Sequence, residues 1–335
     1  MTAASTPKPE GLVAAIIGRG RDLPWLQLVA VVVVYLVTVA IVPGASGWRS
    51  ITSILVLASF VGLASAGQTF AALLGGLDLS IPAVIGMANV FICELTGAHA
   101  WPFAFAAGLL LLVAAVVGAF NGFVSKRFTI HPLLITIGVG AILTGVVRAI
   151  GPNGGKATAA PPAWLQAFAS PGQTTGFVPL PPVVLLWLLA AILIGLLLTR
   201  TSFGRHMYAT GSSPRAADLA RVNTTAVWMG AFALSSVFAA MTGIMLAGFA
   251  DQGAMTLGDP YLFLTIACVV LGGTTLQGGR GDYWRTVLGT LILTEFTLLF
   301  NGLNVDSTTL QILLGIVMMV VVAVYGREEH IRNRI

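Results

Sequence analysis

Ten apolar segments run along this 335-residue chain, and each approaches the length that crosses a membrane, about 20 residues. When these segments are taken as spans, only Arg49, Arg148 and Lys156 of the 17 Lys and Arg residues fall on one side. Basic loops favour the cytoplasm, so the pattern predicts an all-α polytopic membrane protein with both termini cytoplasmic. The segments lie at about 25–43, 51–73, 81–96, 101–123, 131–150, 180–199, 225–248, 260–275, 284–301 and 308–325.

The composition agrees with a membrane protein and excludes a soluble globular protein of this length. Hydrophobic residues make up 57% of the chain, charged residues only 9%, and the mean hydropathy is +0.93. The net charge of +5 comes from short loops beside apolar segments. This placement is typical of the basic loops that orient a membrane protein, and it does not indicate nucleic-acid binding. Cys93 and Cys268 both lie in apolar segments and are interpreted as packing thiols.

The domain organisation follows from these segments. Residues 1–24 are predicted to form a cytoplasmic tail, 25–326 one transmembrane domain, and 327–335 a second cytoplasmic tail. The third and eighth segments are short and adjoin glycine pairs, which favours broken or re-entrant helices. The Pro- and Gly-rich outer loop at about 151–180 is either a surface cap, a contact for an extracytoplasmic partner, or a linker.

A polar loop, Arg200 to Thr225, lies on the predicted cytoplasmic side. Ser212 or Ser213 can cap a helix there, and Pro214 suits a first helical turn. We therefore predict a short surface helix over 213–221. Three charged residues at i, i+3 and i+6 lie opposite two apolar residues in this helix, and two glycines serve as its hinges. The charged set is Arg215, Asp218 and Arg221, the apolar pair is Ala217 and Leu219, and the hinges are Gly204 and Gly211. This helix is either a solvated loop or a surface for a cytoplasmic partner.

Four motifs occur in order along the chain. They are G-L-D-L-S within Gly75 to Ser80, the G-R-x-x-Y-A-x-G stretch from Gly204 to Gly211, the Gly-rich loop Gly272 to Gly281, and N-G-L-N from Asn301 to Asn304. Together they resemble the ribose/xylose/galactose-type sugar-import permeases of the ABC superfamily, within the branched-chain amino acid/ribose permease superfamily. The resemblance covers most of the chain.

That resemblance implies a fold, partners and a location. The fold would be similar to a type II ABC importer permease, forming half of a pore with a second permease copy or paralogue in the bacterial inner membrane. ABC ATPase subunits, which hold ATP and Mg, would dock on the loop, and an extracytoplasmic sugar-binding protein would deliver a monosaccharide or polyol. The chain itself would hold no cofactor and catalyse no reaction. The coupling residues would be Gly204, Arg205, Gly211, Ser213, Pro214, Arg215, Asp218 and Arg221.

Two departures from the family pattern concern the cargo. Tyr261 to Leu264 stands where many sugar permeases carry Y-E-L-D, and Glu295 stands where small apolar residues are common. Relatives carry nucleosides, inositol, a furanosyl signal or branched-chain amino acids, and these remain alternatives.

Glu295 is a candidate for the translocation pathway, because an ionised carboxylate at the bilayer centre costs at least ~2.5–3.5 kcal/mol unless it faces a cavity or a polar group. A protonated carboxyl bonded across a subunit interface is the alternative. A third interpretation is a proton-coupled secondary transporter that uses Glu295.

Further polar residues are assigned to the pathway or to a gate. Gln68, Asn89, Asn301 and Asn304 are pathway candidates, with helix-to-helix bonding as the alternative for the first two. Asp78 and Ser80 form either a helix N-cap or part of the ATPase interface or the inner gate. The remaining gate or structural positions are Gly272, Gly273 and Gly279. The Gly-rich loop lacks the Lys-Ser/Thr of a phosphate-binding loop, and the His residues lack metal-ligand spacing.

Overall fold

A computed structural model describes residues 25–306 and the isolated positions Thr309, Ile312, Leu313, Gly315, Ile316 and Met319. The two predicted tails, 1–24 and 327–335, lie outside the described residues. Most of the tenth predicted segment, 308–325, also lies outside them. The count of ten spans and the cytoplasmic termini therefore stay predictions.

The described residues form an all-helical bundle. Apart from a single antiparallel bridge between Lys156 and Ala254, they contain no β-structure. The helices are α1 Trp25–Ile41, α2 Trp48–Leu73, α3 Ile81–Cys93 with a π-helical extension Glu94–Ala98, α4 Phe103–Arg127, α5 Pro132–Ile150, α6 Ala163–Ala169, α7 Pro182–Arg200, α8 Ser202–Ser212, α9 Pro214–Leu219, α10 Thr224–Ala250, α11 Tyr261–Leu271 and α12 Tyr283–Gly302, with 3₁₀ turns at Pro152–Gly154 and Met255–Gly258.

Membrane-spanning character is clear in the described part of the chain. Six helical stretches there are long and apolar enough to cross a bilayer, namely α2, α3 with its extension, α4, α5, α7 and α10. Nine of the ten predicted segments coincide with one helix each. These nine helices are the six just named together with α1, α11 and α12. As predicted, the short α11 ends at Leu271, directly before the pair Gly272-Gly273.

The core is built around α10 and α2, the two longest helices. Helix α10 packs against α4, α2 and α3. On α4, a Cβ at Gly118 would collide with the carbonyl oxygen of Phe232, and one at Gly122 with that of Trp228. Glycines four residues apart therefore let the backbones of α4 and α10 approach, which is how helices pack closely where lipid supplies no hydrophobic drive.

A buried hydrogen-bond chain joins α7, α12 and α2. The indole N–H of Trp187 donates to the hydroxyl oxygen of Tyr283 at 3.0 Å, and that hydroxyl donates to the carbonyl oxygen of Gly62 at 2.8 Å. All three residues are buried. Leaving a buried polar group without a partner costs free energy, so these two hydrogen bonds fix the relative positions of the three helices.

The long loop between α5 and α7, which is predicted to lie on the outer side, packs against the bundle. Leu165 of α6 is fully buried, and α6 packs against α10. The Trp164 ring meets the Phe103 ring edge-on, with the centroids 4.6 Å apart. These contacts hold the middle of the loop against the bundle, which favours the surface cap among the three interpretations.

Candidate functional site: the glycine junction

The predicted coupling segment folds as two helices, α8 and α9. The Thr201 hydroxyl oxygen accepts a hydrogen bond from the Gly204 N–H at 3.2 Å and begins α8. The Ser213 hydroxyl oxygen accepts one from the Ala216 N–H at 3.3 Å, with Pro214 in the first turn of α9. The cap predicted at Ser212 or Ser213 is thus Ser213.

Three details of this segment differ from the prediction. Helix α9 ends at Leu219, and Arg221 lies beyond it in the left-handed conformation with φ of 58°. Ala217 is buried as expected, but Leu219 is 85% exposed and does not face the bundle. A six-residue helix has less than two turns, so only one of its apolar side chains reaches the core.

The predicted glycine hinges lie inside α8, not between elements. A Cβ at Gly204 would collide with the carbonyl oxygen of Leu198, and one at Gly211 with that of Leu73. Both positions therefore need glycine for close backbone contact, which is a packing requirement. Helix α8 was not predicted because its sequence is polar, yet the buried residues Gly204, Met207 and Thr210 recur every third position and mark an inward face.

Asp218 holds α9 against the bundle. Its carboxylate accepts a hydrogen bond from the Thr224 hydroxyl at 2.7 Å, and Lys126 Nζ lies 3.7 Å away. These contacts tie α9 to the start of α10 and the end of α4. Arg205, Arg215 and Arg221 are exposed on the same segment. The segment therefore exposes one large apolar side chain and three basic ones, while the contacts of Asp218 position α9.

Three glycine motifs that are far apart in the sequence meet behind this segment. The Gly279 N–H donates to the Leu73 carbonyl oxygen at 2.9 Å, and Gly211 lies against the same oxygen. A Cβ at Gly278 would lie 2.7 Å from Gly75 N and 3.0 Å from Gly211 O. We call this contact of α2, α8 and the Gly-rich loop the glycine junction, defined by residues 73–75, 211–212 and 277–279.

Backbone conformation also requires glycine in the junction. Gly75, Gly278 and Gly279 have φ of 78°, 89° and 74°, in the left-handed region that favours glycine. One side chain closes the contact from α8, since the Tyr208 hydroxyl donates to the Gly281 carbonyl oxygen at 2.8 Å. Burial, and secondly the charge of Asp282, raises the pKa of Tyr208, so the hydroxyl keeps the proton it donates.

The Gly-rich loop joins the junction to α11 and α12. Gly272 ends α11, and a Cβ there would lie 2.7 Å from the carbonyl oxygen of Arg285. Gly273 follows with φ of 81°. At the other end of the loop, Asp282 caps α12 by accepting a hydrogen bond from the Arg285 N–H at 2.9 Å. Movement of the junction would therefore act directly on α11 and α12.

Asp78 is the hub of a buried polar network at the break between α2 and α3. One carboxylate oxygen accepts from the Ser80 N–H at 3.0 Å and from the Ser80 hydroxyl at 2.5 Å. The other accepts from the Ser235 hydroxyl of α10 at 2.6 Å. The Asp78 N–H donates to the side-chain oxygen of Gln68 at 3.3 Å, and Asn121 of α4 donates to the Ser80 hydroxyl at 3.1 Å.

This network corrects the N-cap interpretation of Asp78 and Ser80. Ser80 occupies the N-cap position of α3 but makes no side-chain capping bond, and the carboxylate of Asp78 bonds to Ser80 itself. Asp78 is also only 1% exposed, which leaves no surface for direct contact with another subunit in this conformation. Its contacts instead join α2 and α10 to the start of α3, and Ser80 extends the network to α4.

The pathway candidates Asn89 and Gln68 are both buried, but they differ in their hydrogen bonds. Asn89 is fully buried and bonded to backbone, donating to Gly243 O at 3.1 Å and accepting from Ala254 N–H at 2.7 Å. Gln68 is also fully buried, and its amide nitrogen has no hydrogen-bond partner among the described residues. Asn89 bonds to α10, which favours helix-to-helix bonding over contact with a solute. Gln68 bonds only to the Asp78 backbone at the break between α2 and α3.

Glu295 is 5% exposed on α12, and one of its carboxylate oxygens has no hydrogen-bond partner in the described part of the chain. Asn301 and Asn304 are exposed at the end of α12. Asn304 has φ of 55°, and the Val305 N–H bonds back to Phe300 O at 3.0 Å. The N-G-L-N motif therefore forms a Schellman-type helix end, in which an Asn tolerates the left-handed position.

The described residues hold no group of three or more His, Cys, Asp or Glu side chains arranged for a metal ion. Two further contributors, Thr136 and Ser235, were not predicted, whereas Tyr208 was predicted only as part of the G-R-x-x-Y-A-x-G motif. Thr136 of α5 accepts from the Leu79 N–H at 3.0 Å. Hydroxyl residues inside apolar helices carry no pattern of their own, so only the fold identifies which of them bond to the broken segment.

Known proteins resemble this chain over most of its length. It is 29% identical to the fructose import permease protein FrcC of Rhizobium meliloti, over 88% of this chain and 83% of that protein. It is 30% identical to the inner membrane ABC transporter permease protein YjfF of Escherichia coli, over 90% and 92%. It is 28% identical to the ribose import permease protein RbsC of Bacillus subtilis, over 78% and 80%. No solved structure matches the chain.

The family pattern described as "Branched-chain amino acid transport system / permease component" matches residues 50–322. This range contains the glycine junction, the Asp78 network and Glu295. The match and the apolar helices identify a multi-pass protein of the inner membrane and a transport subunit of the sugar ABC permease type. The chain belongs to this family of ABC transporter permeases.

Proposed function

We propose that this chain is the permease subunit of an ATP-driven importer that translocates a monosaccharide or related polyol. Its ATPase subunits, which bind ATP and Mg, dock on the exposed face of α8 and α9. A second permease copy or a paralogue completes the pore, and an extracytoplasmic binding protein delivers the solute. In this proposal the chain has ten spans and cytoplasmic termini, so that α8 and α9 lie on the same side of the membrane as the ATPase subunits.

The glycine junction is the observation that carries this proposal. A solvated loop has no need for backbone contact with two distant motifs, yet Gly211 and Gly279 both lie against the carbonyl oxygen of Leu73. Close-packed contacts of this kind transmit displacement, because packed interiors are bistable and not continuously deformable. Docking of an ATPase on α9 therefore moves α2, α11 and α12 together with α8.

The exposed face has the composition of a protein contact. Leu219 projects from α9 at 85% exposure, with Arg205, Arg215 and Arg221 exposed on the same segment. An apolar side chain within a charged rim is the usual anatomy of an interface. We propose that Leu219 enters an apolar pocket with an acidic rim on the ATPase subunit.

The cargo is assigned to the sugar class from its relatives. FrcC, RbsC and the L-arabinose permease AraH of Escherichia coli are named for sugars, and AraH is 31% identical to this chain. The autoinducer 2 import permease LsrD of Klebsiella pneumoniae is also similar, at 29% identity, and keeps a furanosyl signal as an alternative. Branched-chain amino acids, nucleosides and inositol are the further alternatives.

Affinity purification of the tagged chain from its native host in mild detergent, with mass spectrometry of the co-purifying proteins, tests this proposal. We expect an ABC-type ATPase in a one-to-one ratio with total permease. A second permease sequence in the same sample would indicate a heterodimer. A chain that purifies alone and still supports uptake driven by a proton gradient would contradict the proposal and favour a secondary transporter using Glu295.

A further inference from the structure

An uncharged stretch runs through the predicted outer loop and along α7. Residues 157–199 contain no Asp, Glu, Lys, Arg or His. Within this stretch positions 172–179 are exposed, apart from Thr175, which is half-buried. Charged residues make up about a quarter of an ordinary globular domain, so an exposed loop without any of them is unusual for a surface that faces water. The composition instead suits a surface that lies against lipid.

Phe177 is the most exposed large apolar side chain among the described residues, at 100%. A turn fixes the backbone on both sides of it. The Thr175 hydroxyl oxygen accepts a hydrogen bond from the Val178 N–H at 3.3 Å, and the hydroxyl donates to the Val178 carbonyl oxygen at 3.1 Å. Gly176 has φ of 80°, in the left-handed region that favours glycine. The turn therefore presents an aromatic side chain, with the half-exposed Val178 beside it, on a defined backbone.

The length of α7 sets the depth of this turn. Helix α7 has 19 residues, Pro182–Arg200, so it is about 28 Å long and just crosses a hydrocarbon core of about 30 Å. Arg200 is exposed at the predicted inner end, where a basic side chain reaches the headgroups. Pro182 therefore lies at the outer edge of the hydrocarbon core. Large aliphatic side chains are exposed along the helix, as expected for contact with lipid, namely Leu188, Leu189, Ile192, Leu193 and Leu196.

A short, stiff arm connects the turn to α7. Phe177 precedes Pro182 by five residues, so the two lie no more than about 18 Å apart. Pro179 and Pro181 stand between them, and proline fixes φ near −65°, which limits the conformations of the arm. The headgroup region extends about 5–8 Å beyond the hydrocarbon core on each side. The turn at Phe177 is therefore within reach of the headgroups.

We propose that the turn Thr175–Val178 rests on the outer leaflet, with the Phe177 ring inserted among the lipid headgroups. Aromatic side chains are enriched at this depth, because an apolar ring leaves water there without needing a protein partner. A protein contact would instead be expected to carry a polar rim with charged side chains, which this stretch lacks. The anchor fixes the height of the loop that joins α6 to α7. It depends neither on the cargo nor on the ATPase, so it goes beyond the proposed function.

Fluorine NMR on the full-length chain, with the subunits that co-purify, in nanodiscs of phosphatidylcholine tests the anchor. The probe is 4-trifluoromethylphenylalanine at position 177, which keeps the aromatic ring. Gln173, exposed in the same loop, is the control position, and Leu189, exposed on α7, is the lipid reference. We expect nitroxide-labelled phosphatidylcholine to relax the fluorine at position 177 about fivefold more than that at position 173. A water-soluble gadolinium chelate should show the opposite preference.

A second pair of variants tests whether the ring itself holds the turn. With the fluorinated residue at position 178, Phe177→Ser should abolish most of the relaxation by the labelled lipid. Thr174→Ser, at an exposed neighbour, should leave it unchanged. Equal relaxation by labelled lipid with and without the Phe177 ring would contradict the anchor.

The remaining outcomes also decide the matter. Strong relaxation at position 177 by the gadolinium chelate, equal to that at position 173, would show that the turn lies in water and would overturn the anchor. A fluorine at position 177 shielded from both agents, with or without an added binding protein, would assign the turn to a protein contact and would overturn it too. Since neither result bears on ATPase association, the proposed function would stand in both cases.

Discussion

The backbone N–H of Gly279 donates a hydrogen bond of 2.9 Å to the carbonyl oxygen of Leu73, and these residues are 206 positions apart in the chain. Gly211 lies against the same oxygen. One carbonyl group at the end of α2 therefore joins the predicted coupling segment to the Gly-rich loop. Any displacement of α8 must break these contacts or carry α2 and the loop with it.

Replacing Gly211 or Gly279 by Ala should uncouple transport. A Cβ at Gly211 collides with Leu73, and one at Gly279 approaches Ser212 Cα to 2.7 Å at a φ of 74°. We expect a cost of about 1–3 kcal/mol for each substitution. Solute uptake and ATP hydrolysis by the purified transporter, together with its thermal unfolding, would measure the effect.

Gly108→Ala is the control for these variants, because a Cβ there meets nothing within 4 Å. It should transport like the wild type. Wild-type uptake and stability in Gly211→Ala and Gly279→Ala would show that the contact at Leu73 has no part in coupling.

The two charged residues of α9 should respond differently to truncation. Arg215 is exposed, so Arg215→Ala should weaken ATPase association and leave the stability of the permease unchanged. Asp218→Ala removes the contacts to Thr224 and Lys126, and since these side chains are partly exposed we expect a loss of no more than about 1 kcal/mol.

A double-mutant cycle on Lys126 and Asp218, read out by thermal unfolding, isolates the ion pair. A coupling energy near zero together with lost ATPase association in Asp218→Ala would instead make Asp218 a contact residue and not a positioning one.

Asp78→Asn should destabilise the permease even though the side chain keeps its shape. The amide replaces one carboxylate oxygen with a donor, so either Ser80 or Ser235 loses its acceptor in a buried site. Leaving a buried donor unsatisfied costs about 1–3 kcal/mol. Thermal unfolding in detergent measures this, and Asp259→Asn, at an exposed acid, is the control. Wild-type stability in Asp78→Asn would contradict the role of the network.

Glu295→Leu should reduce uptake without reducing the amount of assembled transporter. One carboxylate oxygen of buried Glu295 has no partner among the residues that the structure describes, so replacement by an apolar residue should leave thermal unfolding unchanged or raise it. Glu295→Gln preserves shape and separates charge from size. Uptake assays at matched expression levels decide the matter, and wild-type uptake in both variants would remove Glu295 from the pathway.

The helical architecture was predictable because apolar length and loop charge are each encoded locally. Nine of the predicted segments matched helices within the described residues, and the break at Gly272-Gly273 matched as well. Helix α8 was missed because its inward face consists of Gly204, Met207 and Thr210, which are not a recognisable apolar stripe.

The contacts of the site were less predictable than its residues. Gly211 and Gly279 were both named as candidates, but their meeting at Leu73 depends on the path of the whole bundle. A cap was one of the alternatives for Asp78, because its sequence neighbours suit one. Its actual partner Ser235 lies 157 positions away, and no local pattern indicates that contact.

A photo-crosslinking amino acid at position 219, activated in membranes of the native host, tests the central claim most directly. Leu219 is exposed on the predicted cytoplasmic side, and mass spectrometry of the adducts identifies what touches it. The same probe at Phe177, fully exposed on the outer cap, is the control. Our account predicts an adduct with an ABC ATPase from position 219 and none from position 177. Adducts from position 219 with lipid alone, or with no ATPase in a transporting strain, would contradict it.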